Sequence, residues 1–504
     1  MSTTRWRRSS RKRGGRRPER AHGLEHLAPP GSWLRTVGVY LVAAKLLLVP
    51  IAVDPFGADP FGVAKAAVSR GLMYPLLLVL LAYVALYRPR HVVRPLAVSV
   101  VAFLAVAAAA TFVAVDPSAA LYGVHRRYLG LTSIGDGVVT FAAIALLVRT
   151  RADLLAIATA WGISAFANVM YASAQLRGVD PLRPAEPTIS GLVGNSTSLG
   201  GYLVISTAAA AGVAVLSWSR SRWPGRAILI SFTLAGAALT ALTGARAPTL
   251  ALFPSALAIA LIGWRAGALQ LHRRLVVILS GGLLLMAVLL MQGPLGERFA
   301  RLIGGDPSTV ERSVVYQTAL SAVGTRPLLG VGPDGFVTVY LQFRGPETAR
   351  MTDVLTASQS STHSWFLHHL LGAGILGLAA FLGIVAIALL QVWRDASSPA
   401  GVAPAIGAVA LLAYLAQGLV TINSITTDLL LWTALGLIAT GSGHDGGDAA
   451  RSAIRLDRIA AVAALLVGAA VGTTVLNVIE SDRAVRTSNL ARDAGNFPLA
   501  QRAG

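Results

Sequence analysis

The sequence predicts an all-α, polytopic integral membrane protein with about 12–13 transmembrane helices and one long outer loop. Three observations carry that prediction. Hydrophobic residues make up 54% of the 504-residue chain and charged residues only 13%, with a mean hydropathy of +0.63. A soluble chain carries about 25% charged residues. Apolar runs of about 17 to 25 residues, long enough to cross a bilayer as helices, recur along the whole length. Arginine also falls on alternate connections between the runs, the pattern of a multi-pass chain.

The apolar runs are about thirteen: 33–53, 71–87, 96–115, 131–149, 152–171, 199–217, 227–243, 247–264, 275–292, 364–391, 402–421, 424–441 and 459–477. With the N-terminus in the cytoplasm, the inner connections carry Arg88, Arg90 and Arg94; Arg149 and Arg151; Arg220, Arg222 and Arg226; Arg265, Arg273 and Arg274; Arg394; and Arg451, Arg455 and Arg458. Short outer connections such as "VDPFGADP" are poor in arginine or carry acids. An odd number of spans then leaves the C-terminus outside. The expected localisation is the cell membrane, multi-pass, with a cytoplasmic N-terminus and an extracytoplasmic long loop and C-terminus.

Five segments follow from this reading. Residues 1–31 form a disordered basic cytoplasmic tail, 32–292 an N-terminal transmembrane bundle, and 293–362 a long extracytoplasmic loop that is partly helical. Residues 363–478 form a C-terminal transmembrane bundle, and 479–504 an extracytoplasmic tail that could begin a tetratricopeptide-like hairpin. The long loop has helical periodicity in "STVERSVVYQTALSAVG", followed by the turn cluster "RPLLGVGPDGF".

Composition also excludes functions. The net charge of +20 does not mark a nucleic-acid binder, because nine positive charges lie in the first 20 residues and the others sit largely in short loops. Such a tail contacts anionic lipid and fixes orientation. No cysteine is present, so disulfides, thiolate nucleophiles and thiolate metal sites are out. There is no acidic pair of the DxD kind, no phosphate-cradling glycine loop and no serine nucleophile elbow.

The polar residues that remain gather on the outer side. Arg246 falls in a short break between two apolar runs, between Gly244 and Pro248. A guanidinium at that depth either meets an anion in a water-filled cavity or snorkels to the interface. The long loop carries Arg298, Arg301, Arg312, Arg326, Arg344 and Arg350 against few acids. Surplus arginine suits a diphosphate, since each guanidinium binds two oxygens at once. His363 opens the apolar run "STHSWFLHHLLGAGILGLAAFL" at the membrane surface. With an ordinary pKa of about 6.5 it is a proton acceptor near neutrality. His368 and His369 do not share its helical face, which leaves them as packing residues rather than metal ligands.

Several stretches together resemble the O-antigen ligase family, which includes polymerase-like members and protein O-oligosaccharyltransferases. "HRRYLGLTS" resembles its R-Y-x-G-L element and "GLVGNSTSLGGYL" its G-x-x-G-N-x-N-x-x-x-G-Y-L. "LTGARAPTLAL" is similar to S-G-S-R-[GA], and "ERSVVYQTALSAVGTRPLLGVGPDGF" to the long-loop pattern E-R-x-x-x-W followed by P-L-x-G-x-G-x-x-x-F. "THSWFLHHLLGAGILGL" is similar to A-H-N-x-[YF]-L-x-x-x-x-x-x-G-x-x-G-L, and "YLAQGLVTINS" to a late family helix. The order matches from about residue 50 to 440. This chain departs at Ser364, at Ser196-Thr197-Ser198, at Tyr316 and at Asp334.

The resemblance implies a GT-C-like membrane glycosyltransferase. Such an enzyme passes a glycan from an undecaprenyl-diphosphate-linked donor to a hydroxyl acceptor on the outer face of the cytoplasmic membrane. It inverts the anomeric centre and needs no metal or other cofactor. It implies that Arg246 and Arg312 hold the diphosphate and that His363 acts on the acceptor hydroxyl. Arg127, Asn195, Arg326, Asp334 and Ser364 are candidate substrate-binding positions, and Asp54 in the first outer loop is an alternative base. The acceptor could be a cell-wall glycan, a glycolipid or a protein. A polymerase of the same superfamily and a transporter or flippase of lipid-linked glycans are the alternatives. A flippase would place charged residues deep within spans.

Overall fold

A computed structural model describes residues 32–87, 94–182, 188–218, 221–265, 307–345, 360–395, 401–440 and 478–493, together with residues 281, 462 and 466. In chain order the helices are α1 (Ser32–Leu48, continued by a 3-10 turn, Val49–Ile51), α2 (Gly62–Tyr87), α3 (Arg94–Phe112), α4 (Pro117–Tyr122) and α5 (Leu131–Leu147). Then come α6 (Arg151–Gln175), α7 (Ser196–Leu216), α8 (Trp223–Leu242), α9 (Arg246–Arg265), α10 (Pro307–Thr325) and α11 (Phe336–Phe343). The last are α12 (Trp365–Asp395), α13 (Val402–Gly418), α14 (Ile425–Ala439) and α15, over 478–493. Among the described residues there is no strand.

Eight of these helices are long and apolar enough to cross a membrane, and α5, α13 and α14 are shorter apolar helices. The chain is an all-α, multi-pass membrane protein. Eleven of the apolar runs read from the sequence coincide with helices, while 275–292 and 459–477 lie outside the described residues apart from 281, 462 and 466. The basic segment 1–31 is also outside them.

The largest difference in boundary is α2, which begins at Gly62 rather than near 71. Its first turns contain Lys65, Ser69 and Arg70, which lower the hydropathy of any window placed there. The structure gives each of them a partner within the protein. Lys65 donates to the carbonyls of Ala52 and Leu192 at 2.7 Å each, Ser69 to Asp136 at 2.5 Å and Arg70 to the Tyr122 carbonyl at 2.6 Å. A polar residue with its partners inside the bundle does not expose an unsatisfied group to lipid.

The three-residue connection "RTR" between α5 and α6 works through a capping box. Thr150 accepts from the Asp153 amide at 3.2 Å, and the Asp153 carboxylate accepts from the Thr150 amide at 2.8 Å. Arg35 of α1 pairs with the same carboxylate. One apolar cluster then runs through the bundle from Leu34 to Ala439. Inside it, Lys45 is fully buried and pairs with Asp136. Charged side chains do therefore lie within the spans, and they are paired rather than facing lipid.

The helix α12 is broken midway, and the turn that carries Asp334 packs against the break. At Gly374 the backbone leaves helical geometry with φ of 68°, which frees carbonyls in the preceding turn. The turn 326–335 fills that break. Val331 N–H donates to Leu371 O at 2.9 Å and Gly332 N–H to Gly372 O at 3.1 Å, while Ile375 N–H returns to Pro327 O at 2.9 Å. A Cβ at Gly374 would collide with the Leu328 carbonyl, and one at Gly330 (φ 69°) with the Leu371 carbonyl. The glycines of "PLLGVGPDG" and "GAG" thus let two backbones meet and satisfy each other. α10 and α11 pack on this junction through Val315, Ala319, Val331, Phe336, Tyr340 and Leu371.

Candidate functional site

The connections on one side of the bundle converge. Lys65 joins the α1–α2 loop to the loop before α7. Val115 N–H donates to Val331 O at 3.1 Å, and Arg326 Nη1 to Val113 O at 2.5 Å. These bonds tie the loop bearing Asp54 to the one that leads to Asn195, and the connection before α4 to the turn bearing Asp334.

Arg246 and Arg312 come from different helices and line the same cavity, of about 480 Å³. Its walls also include Thr188, Ser196, Thr197, Thr243 and Thr421. Arg246 is the first residue of α9, at its positive end. Two guanidiniums and a helix N-terminus facing one space form a strong anion environment. The turn that presents Arg246 needs close packing. A Cβ at Gly200 of α7 would lie 3.0 Å from Pro248, which accounts for a glycine in the "GGYL" stretch.

His363 sits just before α12 in the left-handed region, with φ of 52°. Non-glycine residues rarely adopt this conformation, and it costs about 1–3 kcal/mol. Short polar neighbours hold the turn. His363 N–H donates to Ser361 Oγ at 3.1 Å, and Thr362 Oγ1 donates to Ser364 O at 3.1 Å. Tyr316, one turn after Arg312 on α10, reaches the His363 carbonyl at 3.5 Å. His363 does not line the 480 Å³ cavity but stands beside it, within electrostatic reach of Arg312 and Arg127. Burial first, then those two charges, push its imidazole down to about 4 from 6.5. It is neutral at physiological pH.

The other positions chosen from the sequence have distinct surroundings. Arg127 Nε donates to Asp334 Oδ1 at 2.8 Å, and Asp334 Oδ2 also accepts from the amides of Val124 (3.0 Å) and Leu129 (3.2 Å). Asp334 therefore holds the Arg127 loop. Asn195 caps α7 by accepting from the amides of Thr197 (2.9 Å) and Ser198 (3.1 Å). Arg326 is exposed and tied to Val113. Ser364 is buried next to His363. Asp54 is held by Arg483 of α15 through bonds of 2.8 and 3.0 Å. Burial alone would raise its carboxyl, but the Arg483 bond, the Phe56 amide and the charges of Arg483 and Arg486 outweigh that and hold it below its ordinary range. Among the described residues, the positive-φ positions other than glycine are Arg126, Tyr128, Asp334 and His363, all in these loops.

His368 and His369 lie behind the site. His369 packs against Phe381 (centroids 4.2 Å apart) and edge-on to Phe103 (5.4 Å). Three further polar residues are bonded together, two of them within the "YLAQGLVTINS" stretch: Asp428 at the head of α14, Tyr414, which donates to it at 2.9 Å, and Asn423, which donates to Tyr414 at 3.1 Å. For Asp428, an acid opening an apolar run was the available signal, of the same kind as His363.

Residues 232–382 match a protein-family model described as O-Antigen ligase. Over that stretch the chain is similar to the O-antigen ligase family. The matched stretch runs from α8 to beyond the α12 break and contains Arg246, Arg312, Arg326, Asp334, His363 and Ser364, whereas Asp54, Arg127 and Asn195 precede it. No curated protein matches the chain. This similarity supports a membrane glycan ligase or polymerase type of activity, with lipid-linked glycan and acceptor partners in general.

Proposed function

We propose that the protein is an inverting, metal-independent membrane glycosyltransferase. It transfers a glycan from an undecaprenyl-diphosphate-linked donor to a hydroxyl acceptor at the extracytoplasmic face of the cell membrane, with the N-terminus cytoplasmic and the long loop and C-terminus outside. The observation that carries this reading is the cavity of about 480 Å³ shared by Arg246 and Arg312. It is large enough for a diphosphate with part of a sugar, and its hydroxyl-bearing walls suit a glycan.

The step is a single displacement. The acceptor oxygen attacks the anomeric carbon as the bond from that carbon to the diphosphate oxygen breaks. The electron pair leaves with the diphosphate, whose growing charge Arg246 and Arg312 compensate. The acceptor proton passes to neutral His363, a contribution typically of about 10² to 10⁴ in rate. Bound diphosphate offsets the Arg312 charge and so raises the basicity of His363 when the base is needed. Arg127, Asn195, Arg326, Asp334 and Ser364 frame the substrates, Arg127 and Asp334 doing so as a pair. Ligase and polymerase share this chemistry and differ in whether the acceptor is a different molecule or another copy of the glycan.

Deletion of the gene tests the reading in cells. The expected result is accumulation of a lipid-linked glycan with loss of one surface polymer, restored by wild-type protein but not by Arg312→Ala. A deletion strain with unchanged lipid-linked glycans and surface polymers would sink it.

A further inference from the structure

The helix over 478–493 takes no part in the proposed chemistry, yet it is locked onto the site face at several points. Arg483 grips Asp54 with two nitrogens, at 2.8 and 3.0 Å. Its neighbour Asp482 is buried and accepts from the Asp59 amide at 3.1 Å. The other oxygen of Asp482 lies 3.4 Å from His125 Nε2. Arg486 donates to the Pro55 carbonyl. Gly57 makes room for the helix, since a Cβ there would collide with the Asp482 carboxylate.

Both loops held in this way lead into the site. Asp59 Oδ1 accepts from the Gly62 amide at 3.0 Å and so fixes the start of α2. Phe61 fills the space a side chain on Gly194 would need, next to Asn195. His125 is two residues before Arg127, whose loop Asp334 holds from the other side. We infer that α15 is a clamp for the outer loops, with Asp482 and Arg483 as positioning residues that hold the 52–61 and 123–130 segments in register with the arginine cavity. Asp54 is then the socket of the clamp rather than a base. The catalytic half of this inference rests on the proposed transferase reading, whereas the structural half does not.

The full-length protein in lipid nanodiscs provides the test. Arg483→Ala, Asp54→Asn, the double variant and the conservative Arg483→Lys are compared by amide hydrogen exchange and by transfer kinetics with a lipid-linked glycan. Arg483 is half exposed, so its loss should leave the fold intact and have a moderate effect. Exchange across 54–61 and 123–129 should rise about three- to fivefold in Arg483→Ala, with 307–325 unchanged. KM should rise by a similar factor with kcat nearly constant, Arg483→Lys should recover part of the loss, and the double variant should be no worse than the worse single one. Unchanged exchange in both loops would overturn the clamp. So would Asp54→Asn abolishing kcat while Arg483→Ala is neutral, because Asp54 would then be chemical. If the wild type transfers no glycan, the transferase reading fails while the exchange result still decides the clamp.

Discussion

Arg127 and Asp334, 207 residues apart in the chain, form a buried ion pair at 2.8 Å that joins the loop after α4 to the turn seated in the α12 break. The pair ties the orientation of one arginine on the site face to a helix break on the other side of the loop. It has consequences for stability as well as for substrate placement.

Asp334→Ala should be strongly destabilising. It leaves a buried guanidinium and two loop amides without their acceptor. Breaking a buried pair by removing one partner costs about 3–5 kcal/mol. Asp334→Asn keeps one acceptor and a residue type that tolerates the left-handed backbone, so it should cost less. Thermal unfolding in detergent checks the order. Equal melting temperatures for wild type and Asp334→Ala would contradict it.

Gly374→Ala should prevent the turn 326–335 from seating. The added methyl meets the Leu328 carbonyl, and the backbone there has φ of 68°. Alanine at positive φ is strained whatever the space. The expected outcome is rapid proteolysis within 326–345 and loss of transfer. Gly383→Ala, in open space on the same helix, should behave as wild type. Equal protease resistance for the two variants would show that the break is not required.

The pH dependence follows from His363. Its imidazole sits at about 4 rather than 6.5 through burial and the Arg312 and Arg127 charges. In the free protein, kcat/KM should stay level from about pH 8 to about pH 5 and fall only as His363 protonates. The kcat limb should lie higher, because bound diphosphate offsets Arg312. Between pH 6.5 and 4 the unfolded chain binds a proton at this position that the folded one does not. His363 therefore makes stability fall as pH drops through that window. Arg312→Ala should move the imidazole upward, read by NMR of labelled histidine. An imidazole that titrates near 6.5 in the free protein and ignores Arg312→Ala would contradict this.

Helix positions were legible because span length and hydropathy are local properties. The start of α2 was not, because Lys65, Ser69 and Arg70 look costly in sequence and are satisfied only by distant carbonyls and Asp136. Arg246 and His363 stood out because charged or titratable groups at the edge of apolar runs are unusual. Their surroundings were hidden. The Arg127–Asp334 and Arg483–Asp54 pairs span 207 and 429 residues, and no local pattern encodes such distances. The glycines of "GVGPDG" were visible as a turn, but their reason, the break at Gly374, appears only when two segments are seen together.

Arg246, Arg312 and His363 are proposed to act together on a lipid-linked glycan. The most direct test is transfer by purified full-length protein from an undecaprenyl-diphosphate-linked donor, following release of undecaprenyl diphosphate and glycosylation of the acceptor. The expected result is turnover by the wild type and a drop of about 10²-fold or more in each of Arg246→Ala, Arg312→Ala and His363→Ala. Near-normal turnover in His363→Ala, or in both arginine variants, would contradict it.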